Sequence, residues 1–258
     1  ITCDWSSDVC SSDLKDCVSL TNMPSPSSLR KIGAAAFSGC SNMYFATLPN
    51  DITEIGEMAF FGTKGGSLLL LTSAIEKIGD GAFANVTDTI RFILNNANKN
   101  YMVEDGVLYN KSGTEIVQYP KGSTDATFTA NVSNSSGNTN TVTLIRPYAF
   151  YGCENLTSVN ISGVEKVGEY AFANACNLET ITAYSLKDVS YEAFSGTKWL
   201  EDKLNNSSQV VLSNCLLLYN SEDKKVLESG EWDEAIYYIA EQAFASTELE
   251  TIYIPSSY

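Results

Sequence analysis

Whatever chemistry this chain could do, it does without histidine, which is absent from its 258 residues. That absence removes Ser-His and Cys-His nucleophile pairs and every histidine-ligated metal. The 31 Asp and Glu residues are scattered without a recurring couple, so the two facing carboxylates of a glycosidase have no location in the sequence. No G-x-x-x-x-G-K-S/T phosphate loop, G-x-S-x-G elbow or EF-hand loop occurs. Cysteine is the remaining candidate. Cys40 and Cys153 each follow a recurring Phe by three residues, and Cys176 follows one by four. Recurrence at one position fits small apolar side chains packed in a column, and the spacing is neither that of a zinc site nor of a disulfide framework. The expectation is a chain without catalytic residues, metal or cofactor, and so not an enzyme.

Charge narrows the partners. The 31 acidic side chains face only 16 basic ones, with a pI near 4.3. Phosphate backbones and anionic lipid surfaces both need clustered Lys and Arg, so nucleic acid is not an expected partner. No apolar stretch reaches the ~18 residues of a spanning helix, and no membrane insertion is expected.

What the sequence does carry is a repeat. Seven Ala-Phe pairs end in Phe37, Phe60, Phe83, Phe150, Phe172, Phe194 and Phe244. Five positions before each Phe stands Ile32, Ile55, Ile78, Ile145, Val167, Val189 or Ile239. The short intervals between successive Phe residues are 22 or 23, and two intervals, of 67 and 50, are long. A period in the ~20–29 range is that of leucine-rich repeats. Such a unit cannot close a core alone. Stacked on its neighbours, it adds one strand to a parallel sheet and one Phe to an inner column, so these fourteen residues are the expected core.

After each Phe, apolar and polar residues alternate, which predicts a short strand. If Val159 and Ile161 point inward, Ser158 and Asn160 point outward. The same alternation places Phe45, Thr47, Arg91, Ile93, Thr180, Thr182, Tyr184, Thr251 and Tyr253 on the exposed face, which is the candidate binding surface. Two departures stand out: an apolar run LLLL at 68–71, and a Ser/Thr/Asn-rich stretch, 124–143, that reads either as a loop or as a degenerate coil. The long intervals contain Leu108-Tyr109-Asn110 and Leu218-Tyr219-Asn220, each followed by a polar turn and a second apolar segment. They predict two related β-hairpin insertions, near 101–120 and 209–228, packing on the edge of the array or shaping a groove.

The segments IGAAAFSGC from Ile32, IGEMAFFGT from Ile55 and VGEYAFANA from Val167 resemble the BspA-like leucine-rich repeat. The resemblance implies a right-handed repeat solenoid with a parallel β-sheet on one face and short helices or turns on the other. It also implies a surface-exposed or secreted, non-catalytic protein. Such a protein would mediate adhesion, through the sheet face, to a protein or glycan of a host or neighbouring cell. The alternatives are a structural spacer, or a targeting module of a larger secreted enzyme whose catalytic domain lies elsewhere. Residues 4–14, DWSSDVCSSDL, resemble the reading-frame translation of a sequencing-library adapter. Residues 1–14 are therefore expected to be disordered, with 15–258 forming the solenoid, truncated at both ends.

Overall fold

The computed structural model describes residues 8–9, 13–23, 27–95, 97–133, 139–190, 192–220, 224–233, 236–245 and 247–255. The chain winds as a β-solenoid of about nine turns, with parallel sheets and very little helix. Each regular coil gives two short strands rather than the one expected, so the body carries two ladders. The first is built on the β-branched position. Lys31–Ile32, Glu54–Ile55 and Lys77–Ile78 pair in parallel register, as do Leu144–Ile145, Lys166–Val167 and Asp188–Val189. Ile32, Ile55 and Ile78 thus lie in one row, and a branched side chain repeated in that row fills the interior without a gap.

The second ladder follows each Phe. Tyr44–Thr47, Lys64–Leu71 and Arg91–Leu94 form one sheet; Thr127–Thr129, Ser158–Asn160 and Thr180–Thr182 form another; Val226–Leu227 pairs with Thr251–Ile252. The pairing of Thr127–Thr129 with Ser158–Asn160 shows that the stretch 124–143 begins as a degenerate coil. A small antiparallel pair, Asn131–Ser133 with Thr139–Thr141, follows it.

Between the ladders runs the Ala-Phe turn, and its backbone hydrogen bonds account for the motif. In all seven repeats the residue two before the Phe has positive φ: Ala35, Met58, Gly81, Tyr148, Tyr170, Glu192 and Gln242. The residue two after the Phe does so as well, at Gly39, Gly62, Asn85, Gly152, Asn174 and Gly196. The left-handed conformation aims alternate N–H groups along the solenoid axis. Met58 N–H donates to Asp80, Phe60 N–H to Ala82 and Gly62 N–H to Ala84, each carbonyl lying one coil on. The intervening N–H groups of Ala59, Phe61 and Thr63 close turns within their own coil. Every donor in the turn is used, and this offsets the strain of about 1–3 kcal/mol at each non-glycine left-handed residue. The Ala side chains are buried, because the next coil lies directly over them.

Phe37, Phe60 and Phe83 stack at 5.5 and 5.6 Å, and Phe150, Phe172 and Phe194 at 4.6 and 5.3 Å. The column is interrupted at the two insertions, and the core divides accordingly into three clusters. At both interruptions a tyrosine takes the Phe place. Tyr119 donates its N–H to Ala149 and stacks on Phe150 at 5.0 Å; Tyr219 donates to Ala243 and lies 5.6 Å from Phe244. Their inward strand partners are Ile116, paired with Ile145, and Leu216, paired with Ile239.

The first insertion is a three-stranded meander, Tyr101–Glu104, Val107–Asn110 and Glu115–Gln118. It seals the regular coils before it. The Tyr101 hydroxyl accepts from Ile78 N–H at 2.8 Å, and the Gly106 carbonyl accepts from Phe92 N–H at 2.9 Å. Across the same joint Arg146 donates from Nε to Asp80 at 2.7 Å and from its other end to the Ile78 carbonyl at 3.0 Å. The second insertion differs from expectation. Its hairpin is Gln209–Leu212 with Cys215–Tyr219, whereas Val226–Leu227 belongs to the second ladder. Tyr219 is therefore the counterpart of Tyr119, not of Tyr109.

Two other expectations are corrected. Ile239 was expected in the core and is 46% exposed, because Tyr238–Ile239 is the outer strand of its sheet; Phe244 is only half-buried against Tyr219 and Trp232. Residues 1–14 are not wholly outside the fold. Asp8–Val9 pairs in parallel with Lys31–Ile32, and Leu14 is buried with its N–H on the Ala36 carbonyl. The open edge of Lys31–Ile32 offers unpaired backbone groups to any extended dipeptide beside it. Finally, a helix, Lys198–Asn206, follows Phe194. It is capped by the Thr197 hydroxyl, and Trp199 is packed 5.5 Å from the Phe194 ring.

The buried Tyr109 and Tyr119 and the half-buried Tyr148 predict an alkaline weakness. Burial raises the Tyr109 phenol, and it pushes Tyr119 and Tyr148 up to about 12. A phenol raised in the folded state favours folding below its ordinary value near 10, and that contribution is lost as pH climbs above it. Urea midpoints are therefore expected to fall steadily from pH 10 to pH 12. A flat midpoint over that range would show that these phenols are not buried.

Candidate binding face

The two ladders present different surfaces. Most outward side chains of the first ladder are charged, and several pair across adjacent coils. Glu54 lies between Lys31 and Lys77, at 3.0 and 3.3 Å, and these cations hold its carboxyl below the usual range. Lys166 meets Asp188 at 2.6 Å, and Lys187 beside it meets Glu165 at 2.8 Å. Such exposed pairs contribute roughly 0–1 kcal/mol each. Their clearer effect is that adjacent coils already supply the counter-charges on this face. A broad cleft of about 710 Å³ opens along it, where Arg146, Pro147 and Lys166 face Lys77 and Asp80.

The second ladder carries the residues singled out from the sequence. Thr47, Arg91, Ile93, Asn160, Thr180, Tyr184, Thr251 and Tyr253 are exposed, and Ser158 and Thr182 are half-buried. Parallel register sets Ser158 beside Thr180 and Asn160 beside Thr182, and places Thr47, Leu70 and Ile93 in one row. The structure thus divides the predicted face into an apolar part near Thr47, Arg91 and Ile93, a hydroxyl-rich part from Ser158 to Tyr184, and an end part at Thr251 and Tyr253.

Phe45 is the exception. Expected outward, it is 4% exposed and stacks on Phe60 at 4.5 Å. The ladder slips here. Phe45 pairs with Gly65 but Thr47 with Leu70, so two residues of one strand span five of the next. That bulge breaks the alternation and turns Tyr44 outward in place of Phe45. Tyr44, Leu68, Leu70 and Ile90 are exposed residues that strict alternation did not select. The run LLLL was the visible signal for two of them. At the far end, Ile252 and Ile254 are exposed as well as Thr251 and Tyr253, so that strand shows no inward side.

The thiols are structural in two of the three repeat positions. Cys40 is buried and donates to the Leu14 carbonyl at 3.0 Å; burial raises its thiol, and pushes those of Cys153 and Cys215 up to about 12 and about 11. Cys176, expected in the same column, is exposed, because Ala175 occupies the inward place. A thiolate is the reactive form, so native protein is expected to label quickly at Cys176 and at least tenfold more slowly at Cys40, Cys153 and Cys215. Rapid labelling of Cys40 or Cys153 would contradict the buried column. Among the described residues no group of three or more acidic or thiol side chains could hold a metal ion, and no helix is long and apolar enough to cross a membrane.

Comparison with known proteins agrees with this architecture. The chain is similar in fold to the pneumococcal vaccine antigen PcpA, with 21% identity and a TM-score of 0.62 over 92% of this chain and 51% of that one. It is similar to a leucine-rich cell surface protein of Faecalibacterium prausnitzii, with 22% identity and a TM-score of 0.63 over 95% of this chain and 62% of that one. A leucine-rich repeat protein of Eubacterium ventriosum shares 20% identity at a TM-score of 0.56, over 96% of this chain and 70% of that one. The chain thus spans 51% and 62% of the first two of these proteins. A search of curated proteins finds no match. The family described as BspA type Leucine rich repeat region matches in six copies, over residues 8–136 and 143–258. With that match across nearly the whole chain, and with coils whose Ile, Ala and Phe positions stack in register, the protein belongs to the BspA-type leucine-rich-repeat family.

Proposed function

We propose that this chain is a non-catalytic binding module, displayed on a cell surface or secreted, that attaches to a protein or glycan of a host or neighbouring cell through the outward side of the second ladder. The observation that carries this reading is the contrast between the two faces. The first ladder pairs its charges internally, whereas the second exposes hydroxyls, amides and aromatic rings, including Tyr184 at 74% and Tyr253 at 54%. Rigid aromatics lose little rotamer entropy on binding, and a stacked array holds them on one continuous platform. The cell-surface description of the Faecalibacterium protein supports the location.

The test is binding of the fluorescently labelled chain to cultured epithelial cells and to bacterial cells, read by flow cytometry. The double variant Tyr184→Ala/Tyr253→Ala is expected to lose at least tenfold in affinity while its circular dichroism is unchanged. Undiminished binding by the folded double variant would remove these tyrosines and their face from the mechanism.

A further inference from the structure

The N-terminal sheet of the second ladder is chemically unlike the rest of that face. Tyr44, Leu68, Leu70, Ile90 and Ile93 are each between 40 and 52% exposed. Register brings Leu68, Leu70 and Ile93 together. Leu70 lies between Thr47 and Ile93 on adjacent strands, and Leu68 lies beside Arg91. A contiguous exposed apolar patch on a protein otherwise well supplied with charge marks an interaction site.

Its charges are also distinctive. Lys64 and Arg91 are the basic residues of this sheet, and neither takes part in an ion pair among the described residues, in contrast to Lys31, Lys77 and Lys166 of the first ladder. Lys64 stands level with Thr87, and Arg91, four residues further along, level with Leu68, so the two cations border the N-terminal half of the patch in a chain of net charge −15. At the opposite end of the same sheet is a groove of about 400 Å³, bordered by Thr47, Asn50, Leu70, Ile93 and Asn95, with no acidic lining residue. Thr72 also borders it, and its Oγ1 is buried with no hydrogen-bond partner among the described residues.

Taken with the proposed role of this face, on which the inference rests, these observations select one kind of occupant. We propose that the sheet formed by Tyr44–Thr47, Lys64–Leu71 and Arg91–Leu94 docks an extended peptide segment of a partner protein. That segment carries apolar side chains at alternate positions and carboxylates at one end. Alternate residues of an extended chain repeat every ~6.8 Å, which is also the spacing from Leu68 to Leu70 along their strand. The carboxylates meet Lys64 and Arg91, and the apolar end reaches the groove at Thr72.

The test uses the whole chain and a fluorescein-labelled peptide, Leu-Thr-Leu-Thr-Leu-Asp-Asp, followed by fluorescence anisotropy. Controls replace the Asp pair by Lys, or the three Leu by Ser. The Asp peptide is expected to bind at least tenfold more tightly than either control, and added salt should weaken it. Leu70→Asp/Ile93→Asp is expected to abolish binding, and Lys64→Glu/Arg91→Glu to reverse the preference toward the Lys peptide. Both pairs are solvent-exposed, and unchanged circular dichroism establishes that each variant is folded. No binding of the Asp peptide, or equal binding by the wild type and the folded variants, would overturn the proposal. So would binding of phosphatidylserine vesicles, lost in the same variants, without peptide binding. Cell binding that depends on Tyr184 and Tyr253 while the peptide fails would sink this inference alone. Loss of the tyrosine dependence with peptide binding intact would sink the broader reading alone.

Discussion

Phe172→Ala is expected to lower stability by about 3–5 kcal/mol, the range for removing a fully buried aromatic ring. The ring is wholly buried and touches both neighbours of its column, at 4.6 and 5.3 Å. Coils above and below cannot collapse into the space without breaking their own parallel registers, so most of the cavity term persists. The loss should also be local. In a stacked array each unit depends chiefly on its nearest neighbours, and Phe172 lies in a different core cluster from Phe37, Phe60 and Phe83. Hydrogen exchange read by mass spectrometry should show lost protection in peptides around Phe150 to Phe194, with peptides around Ile32 to Phe60 unchanged. Equal loss along the chain would mean one undivided cooperative body.

Gly79→Ala is expected to cost about 3 kcal/mol or more, at the upper end of overpacking effects. A Cβ at Gly79 would stand 2.3 Å from Glu57 N and 2.7 Å from both Glu57 Cα and Gly56 C. All three are backbone atoms of the preceding coil, so no rotamer change relieves the contact. The coils themselves would have to separate, loosening the Ile55 and Ile78 pairing that lies one residue away. Gly230→Ala is the matched control. Nothing lies within 4 Å of its added carbon, and its urea midpoint should move little. A Gly79→Ala midpoint equal to that of Gly230→Ala would show that the coils are not in backbone contact at this point.

These two positions also show where sequence carries structural information. Ile55, Phe60 and Phe172 are legible because each obeys a constraint that recurs every coil. An inward side chain must match the one beneath it, and only a few types do. The left-handed residue two before each Phe is hidden, because Ala35, Met58 and Tyr148 have nothing in common except a backbone donor aimed at the next coil. There the ladder of hydrogen bonds outweighs residue preference. The left-handed residue two after the Phe is readable, since Gly39, Gly62, Asn85, Gly152, Asn174 and Gly196 are the types that tolerate it.

The exposed face is readable where alternation is regular, as at Ser158 and Asn160, and fails where pairing slips. Phe45 went inward because the five-residue step opposite it, from Gly65 to Leu70, absorbs a bulge that no local pattern announces. The tyrosine substitutes at the joints were obscured for a related reason. Tyr119 and Tyr219 stand three residues after Ile116 and Leu216, where the repeat spacing is five. The turn is shortened there, and a ring with a longer reach fills the column. Matching on Leu-Tyr-Asn therefore aligned the second insertion incorrectly, while the hydrogen bonds to Ala149 and Ala243 align the two without ambiguity.

All of this depends on aromatic rings of successive coils resting on one another inside a continuous stack. A double-mutant cycle of Phe150→Leu and Phe172→Leu, set beside one of Phe60→Leu and Phe172→Leu, measures that relation directly by urea unfolding. The stacked pair should show a coupling energy of about 0.5–1.5 kcal/mol, and the separated pair should be additive within about 0.5 kcal/mol. No coupling between Phe150 and Phe172, or coupling as strong between Phe60 and Phe172, would contradict the stacked column.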